Sequence, residues 1–202
     1  MAGTALAVDA HAHFHPCYEA DAFLDAALRN VRRWRRTGAG GDRPCLLLAD
    51  PAGRDSLGAL TGALGTDDRW ELREAGEEPA RVAARWDGRT VLLVAGRQVA
   101  TAEGLEVLAL ATGADLPDGR PAAETVDASL ASGAVTVLPW GFGKWWFERG
   151  RVVRRLVETV DDPRFFLGDN GGRPAAAPEH DLFRSARLRR IPILPGSDPL
   201  PF

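Results

Sequence analysis

Ala5-Leu6-Ala7-Val8-Asp9-Ala10-His11-Ala12-His13-Phe14-His15 is the stretch on which the reading of this chain turns. Leu6 and Val8 lead into an alternation of Asp9, His11, His13 and His15, the pattern of a strand that runs out into a loop with its histidines on one face. Residues i and i+2 of a strand project to the same side about 7 Å apart along the chain. Two imidazoles at that spacing can grip one metal ion. Without an ion, two adjacent buried histidines each need a hydrogen-bond partner; a divalent cation satisfies both, and the adjacent carboxylate can orient a ring. The competing reading is a pair of exposed or hydrogen-bonded strand histidines, and His15 stands between the two classes.

Working outward, Glu19 to Arg36 reads as a helix, with Phe23, Leu24, Ala27, Leu28 and Val31 recurring at three and four. Cys45 to Ala49 is an apolar run that suits a buried strand and delivers Asp50 at its C-terminal edge. Short strands follow at Trp70–Arg73, Ala80–Trp86, Thr90–Ala95 and Glu106–Ala111, a section that includes an added hairpin. Pro121–Ser132 reads as a helix and Ala134–Leu138 as a strand. A helix at Arg151–Val160, a strand at Phe165–Leu167, a glycine-rich loop, a helix at Glu179–Leu188 and a strand at Ile191–Leu194 complete the order. Alternating strands and helices predict parallel strands with crossover helices, whose sites gather at the strands' C-terminal ends. No repeat, low-complexity stretch or linker divides residues 1–202, so one domain is expected.

The formal net charge of -3 gives no general attraction to nucleic acid or to an anionic membrane, and a small anionic substrate is the expected partner. No apolar run approaches the roughly 20 residues that span a bilayer, and no signal-peptide pattern opens the chain, so a cytoplasmic location is expected. Cys17 and Cys45 do not form a disulfide framework. The arginines from Arg29 to Arg36, with Trp34 among them, read as a solvated helix face rather than a nucleic-acid contact.

Among 25 basic residues only Lys144 is a lysine. It lies in Gly141-Phe142-Gly143-Lys144-Trp145-Trp146, where it could hold a phosphate or carboxylate while Trp140, Trp145 or Trp146 forms a substrate wall. Clustered tryptophans also plug cores, and that reading stands beside the first. Gly168-Asp169-Asn170-Gly171-Gly172-Arg173 could present Asp169 to a metal or Arg173 to an anion, or could be a tight turn that satisfies its own backbone. His180 falls at a helix start, where a capping role is expected, and Cys17 is read as a small buried side chain.

The chain resembles the PHP (polymerase and histidinol phosphatase) family. His11-Ala12-His13 resembles that family's first His-x-His motif, and Leu48-Ala49-Asp50-Pro51 its Thr-Asp-His stretch. Gly96-Arg97-Gln98 and the strand from Glu106 resemble its Gly-x-Glu and Gly-Ile-His-Ile-Leu-Gly segments, Val137 to Trp140 its Ala-His-Pro, and Gly196-Ser197-Asp198-Pro199-Leu200 its Gly-Ser-Asp-x-His. Gln98, Pro51, Trp140 and Leu200 stand where the family places ligands, and Glu106 replaces a histidine. The resemblance implies a distorted TIM-like (β/α)7 barrel, here with the inserted hairpin and without its last helix, and metal-dependent phosphoester hydrolysis.

Gln98 offers a neutral amide oxygen in place of a bridging carboxylate, so one ion rather than a cluster is expected, zinc, manganese or iron. His11, His13, Glu106 and Asp198 are the expected ligands, Asp50 or Asp198 the proton acceptor, and Lys144 with Arg173 the anion site. Lys144 thus serves both catalysis and binding in this reading. Two other readings are open: a non-catalytic binding or regulatory descendant of the barrel, and a hydrolase of the amidohydrolase type, which also begins with His-x-His on its first strand. Convergence of the four ligands to within about 2 to 2.3 Å of one point favours the catalytic reading, and divergence counts against it.

Overall fold

The computed structural model describes residues 5–36, 43–65, 69–75, 80–170 and 178–201. In chain order the elements are β1 (Leu6–Ala12), α1 (Ala20–Arg36), β2 (Arg43–Asp50), α2 (Ser56–Ala63), β3 (Trp70–Glu74), β4 (Ala80–Arg85) and β5 (Thr90–Ala100). Then come β6 (Glu106–Leu110), α3 (Ala122–Ala131), β7 (Val135–Pro139), α4 (Phe147–Thr159), β8 (Phe165–Asn170), α5 (Asp181–Leu188) and β9 (Ile193–Gly196).

Seven strands run side by side in the order β1-β2-β5-β6-β7-β8-β9. The chain leaving β9 returns to β1, where Ser197 N–H donates to Asp9 Oδ1 at 2.9 Å and Asp198 N–H to the His11 carbonyl at 2.7 Å. The result is an α/β protein built on a nearly closed barrel. It is not the all-parallel barrel expected from the element order. β6 runs antiparallel to β5, to which a short turn at Thr101–Leu105 joins it, and antiparallel also to β7, although α3 lies between those two strands.

That reversal brings Glu106, at the start of β6, opposite Ala100, at the end of β5. β3 and β4 form the expected hairpin, and β4 pairs antiparallel with the first half of β5. β5 therefore changes partner along one edge, from β4 to β6, at Gly96. A Cβ there would stand 2.8 Å from Leu110 Cα and from the Ala109 carbonyl oxygen, so the crossing admits only glycine.

Alternation along the strands separates two cores. Ala10, Cys45, Leu47, Ala49, Val94, Leu108, Leu110 and Val137 fill the barrel. On the outside, Leu24 and Ala27 of α1 pack with Leu46, Leu48 and Leu93, while α3, α4 and α5 cover Leu138, Phe165 and Leu167. The hairpin is fixed to α1 through Asp25, which accepts from Trp70 Nε1 at 3.2 Å and Arg85 at 3.1 Å. α4 begins a turn earlier than its apolar spacing indicates, and β8 continues through Gly168, Asp169 and Asn170, which are strand rather than loop. The short helix α2 carries too little apolar periodicity to be read from sequence.

Candidate metal centre

One extra residue in β1 sets the direction of every side chain that follows it. Asp9 pairs with Leu46 of β2 and Ala12 with Leu48, so three steps on β1 face two on β2, a β-bulge. Before the bulge Val8 and Ala10 face the barrel interior; after it Ala12 and Phe14 lie in the outer core. His11 and His13 thereby turn inward together. Asp9 does not share their face. Its carboxylate accepts from the Ser197 and His11 backbone N–H groups, so it ties the seam and orients no ring. Burial raises the Asp9 pKa, partly offset by those hydrogen bonds.

At the mouth of the barrel His11 Nε2 lies 3.1 Å from His13 Nε2 and 3.6 Å from Asp198 Oδ1, and His13 Nε2 lies 3.4 Å from the same oxygen. A triangle with those edges has a centre about 2.0 Å from each corner, the length of a Zn–N or Zn–O bond. Without an ion the arrangement is awkward. His11 Nε2 lies 3.0 Å from Gln98 Oε1, an acceptor, and His13 Nε2 faces a carboxylate, also an acceptor. If both nitrogens carry hydrogen to serve those acceptors, the two N–H groups confront each other at 3.1 Å. A cation held by the two ring nitrogens and Asp198 would remove the conflict.

Electrostatics agree with ligand roles for two of the three residues. Burial lowers the His11 pKa, against the opposing charge of Asp198, which favours the neutral imidazole that binds metals. Burial pushes Asp198 up, but the hydrogen bond with His13 and the charges of His11, His13 and Lys144 outweigh it and leave its pKa below the usual value. Asn170 Nδ2 donates to Asp198 Oδ2 at 2.7 Å, leaving Oδ1 for the cluster. His11 Nδ1 is buried without a hydrogen-bond partner. Metal-binding histidines ordinarily donate from that second nitrogen, and no side chain or backbone group of the described residues accepts from it here.

The remaining predicted site residues are distributed as follows. Glu106 faces the same mouth, but its carboxylate pairs with the Lys144 ammonium and lies outside the group of three donors that come within 4.8 Å of one another. The Lys144 stem lies across Gly141, whose absent Cβ would meet it at 2.7 Å, so that glycine gives the lysine its path to the mouth. Asp50 projects to the outer face, because Ala49 takes the inward position on β2; its carboxylate accepts from Ser56 N–H at 2.7 Å and from the Ser56 hydroxyl at the start of α2. Asp50 is thereby tied to the first residue of α2, whose N-cap is Asp55, and the expected proton acceptor is not brought to the cluster.

Trp140 and Trp145 are 7% and 3% exposed and pack with Phe183 and Leu156 in the outer core, so they are core side chains and not walls of the mouth. Arg173 lies outside the described residues, as do the side chains of the basic run from Arg32. His180 caps α5 by accepting from Leu182 N–H at 3.2 Å. Cys17 is exposed rather than buried, whereas burial in the barrel pushes Cys45 up to about 11. A cleft of about 530 Å³ lies between the hairpin and α2 and includes no residue of the mouth. Asn170 and Asp9 are the participants that sequence reasoning missed or misplaced.

Fold and cluster together define a class: an α/β barrel with a two-histidine, one-carboxylate candidate metal centre where β1 meets the chain leaving β9. No family model, no curated protein and no solved structure matches the chain. No helix among the described residues is long and apolar enough to cross a membrane.

Proposed function

We propose that this protein holds one divalent ion, zinc, manganese or iron, at His11, His13 and Asp198, and hydrolyses a small phosphoester or related anionic ester. The observation that carries the reading is the convergence of those three donors on one point at the barrel mouth. The phosphoester part comes from the resemblance to the PHP family. A divalent ion at such a site polarises a substrate oxygen and lowers the pKa of water.

The chain's own residues supply the rest. Lys144, partly exposed and close enough to act on Asp198, offers a cation to the anionic oxygens of the substrate, and Glu106 holds that ammonium in place. With Asp50 turned outward, Glu106 is also the carboxylate at this mouth that can take a proton once substrate draws Lys144 away. Gln98, 3.0 Å from His11 Nε2, brings a neutral amide and not a bridging carboxylate to the cluster, which suits a single ion better than a pair.

A second reading, a metal or ligand-binding protein without catalysis, is favoured by one specific arrangement: the Glu106 carboxylate is already engaged by Lys144. Elemental analysis of protein purified without chelators, alongside hydrolysis of p-nitrophenyl phosphate, separates the two. Near-stoichiometric metal with turnover lost in Lys144→Met supports the hydrolase; metal without turnover of any phosphoester supports the binding protein; no metal after reconstitution overturns the hydrolase and leaves the non-catalytic ligand-binding reading.

A further inference from the structure

The chain beyond β9 has no ladder of its own to hold it. Asp198 adopts φ +43, the left-handed region that residues other than glycine seldom enter, and Pro199 follows it without an N–H to donate. A segment in that conformation needs partners from elsewhere, and two side chains of the loop after β1 provide them. His15 Nε2 lies 2.8 Å from the Pro199 carbonyl oxygen, and the Tyr18 hydroxyl donates to the carbonyl of Leu200. A carbonyl only accepts, so His15 Nε2 carries the hydrogen and that atom is not available to a metal.

The two rings form one unit. They meet edge to face at 5.3 Å, Tyr18 N–H donates to the His15 carbonyl at 2.9 Å, and Tyr18 stacks on Phe23 of α1. Adjacent carbonyls of the strap are thus held from a base seated on the first helix, one residue beyond Asp198.

We infer that His15 and Tyr18 are positioning residues that clamp the strap at Pro199 and Leu200 and so deliver the Asp198 carboxylate to the metal. The inference rests on the proposed metal centre. It assigns the third histidine of the opening motif to the support of a ligand and not to ligation.

Titration of metal-free protein with Co(II), followed by its visible absorption, tests the assignment. In the His15→Leu/Tyr18→Phe variant, Co(II) binding weakens about 10 to 100-fold, and the spectrum shifts toward that of Asp198→Ala. His15→Gln, which keeps a donor, restores most of the affinity. If the double variant fails to fold by circular dichroism, Tyr18→Phe alone carries the test, since it removes a single oxygen. Wild-type protein that takes up no Co(II) overturns the metal centre and this inference with it. Wild type that binds Co(II), an Asp198→Ala variant that binds it weakly, and clamp variants with wild-type affinity and spectrum overturn the clamp alone.

Discussion

The backbone N–H of Asp198 donates to the carbonyl of His11 at 2.7 Å, while the side chains of the same two residues stand 3.6 Å apart at the barrel mouth. The contact that shuts the seam between β9 and β1 therefore also assembles the donors. Closure of the barrel and formation of the candidate metal centre are one structural event, and a perturbation of either reaches the other.

Gly196→Ala is expected to damage both. A Cβ at that position would lie 2.5 Å from His11 Cβ and 3.2 Å from its backbone nitrogen, so the strands must separate. A cost of about 1 to 3 kcal/mol in stability, as for overpacked cores, should accompany lost metal content in the same sample. Urea unfolding beside elemental analysis reads both; retention of full metal content would break the coupling.

The His11→Ala/His13→Ala variant should lose its metal while keeping its helical circular dichroism, because the buried strand β1 is anchored by Ala7, Ala10 and Ala12 as well. Asp198→Ala should bind more weakly and not abolish binding, since two imidazoles remain. Equal metal content in wild type and the double variant would place the ion elsewhere.

Acid should destabilise the metal-free protein through His11. Its folded-state pKa lies below the ordinary histidine value, so the unfolded chain binds the extra proton and stability falls as pH drops below about 6.5. Asp198 acts in the same direction at lower pH: its depressed pKa contributes stability that is lost on passing down through the carboxylate range. Denaturant midpoints measured from about pH 7 to about pH 5 should decline in wild type and less steeply in His11→Asn. A flat profile would contradict the burial of a neutral imidazole.

Asp50→Ala should cost about 2 kcal/mol, because it leaves Ser56 and its backbone N–H without their charged partner, and it should leave metal content unchanged. Lys144→Met should do the opposite, leaving stability nearly intact and lowering kcat/KM for a phosphoester about 100-fold, the order seen when one charge-stabilising donor is removed. Thermal melts and steady-state kinetics on the two variants distinguish a carboxylate that anchors the start of α2 from an anion-binding ammonium.

Much of the architecture was legible because it depends on local patterns. The three-and-four spacing of Leu24, Ala27 and Val31 gives α1, the apolar run from Cys45 to Ala49 gives the buried strand, and Pro121 and Gly133 bracket α3. β6 was not legible as antiparallel, since direction depends on how the chain returns to the sheet and not on the strand's own composition: a short turn joins β5 to β6, and even the segment through α3 leaves β6 and β7 antiparallel. Asn170 escaped notice because a polar residue beside two glycines reads as a turn until strand pairing with Gly196 places it beside Asp198. Asp50 was misdirected for a related reason: a carboxylate at a strand end points inward or outward according to strand phase, which burial on both faces of β2 conceals.

By itself the sequence determined that strands alternate with helices, that a hairpin interrupts them, and that His11 and His13 share one face with a metal-compatible spacing. Periodicity and residue chemistry suffice for these, since each concerns neighbours along the chain. Only the tertiary structure decided that a bulge sends Asp9 to the seam while turning His11 and His13 inward, that Asp198 joins them across 185 residues from His13, and that Glu106 meets Lys144 instead of the cluster. Those outcomes follow from strand register and from how the barrel closes on itself, where a shift of one residue reverses a side chain and no local pattern records the choice.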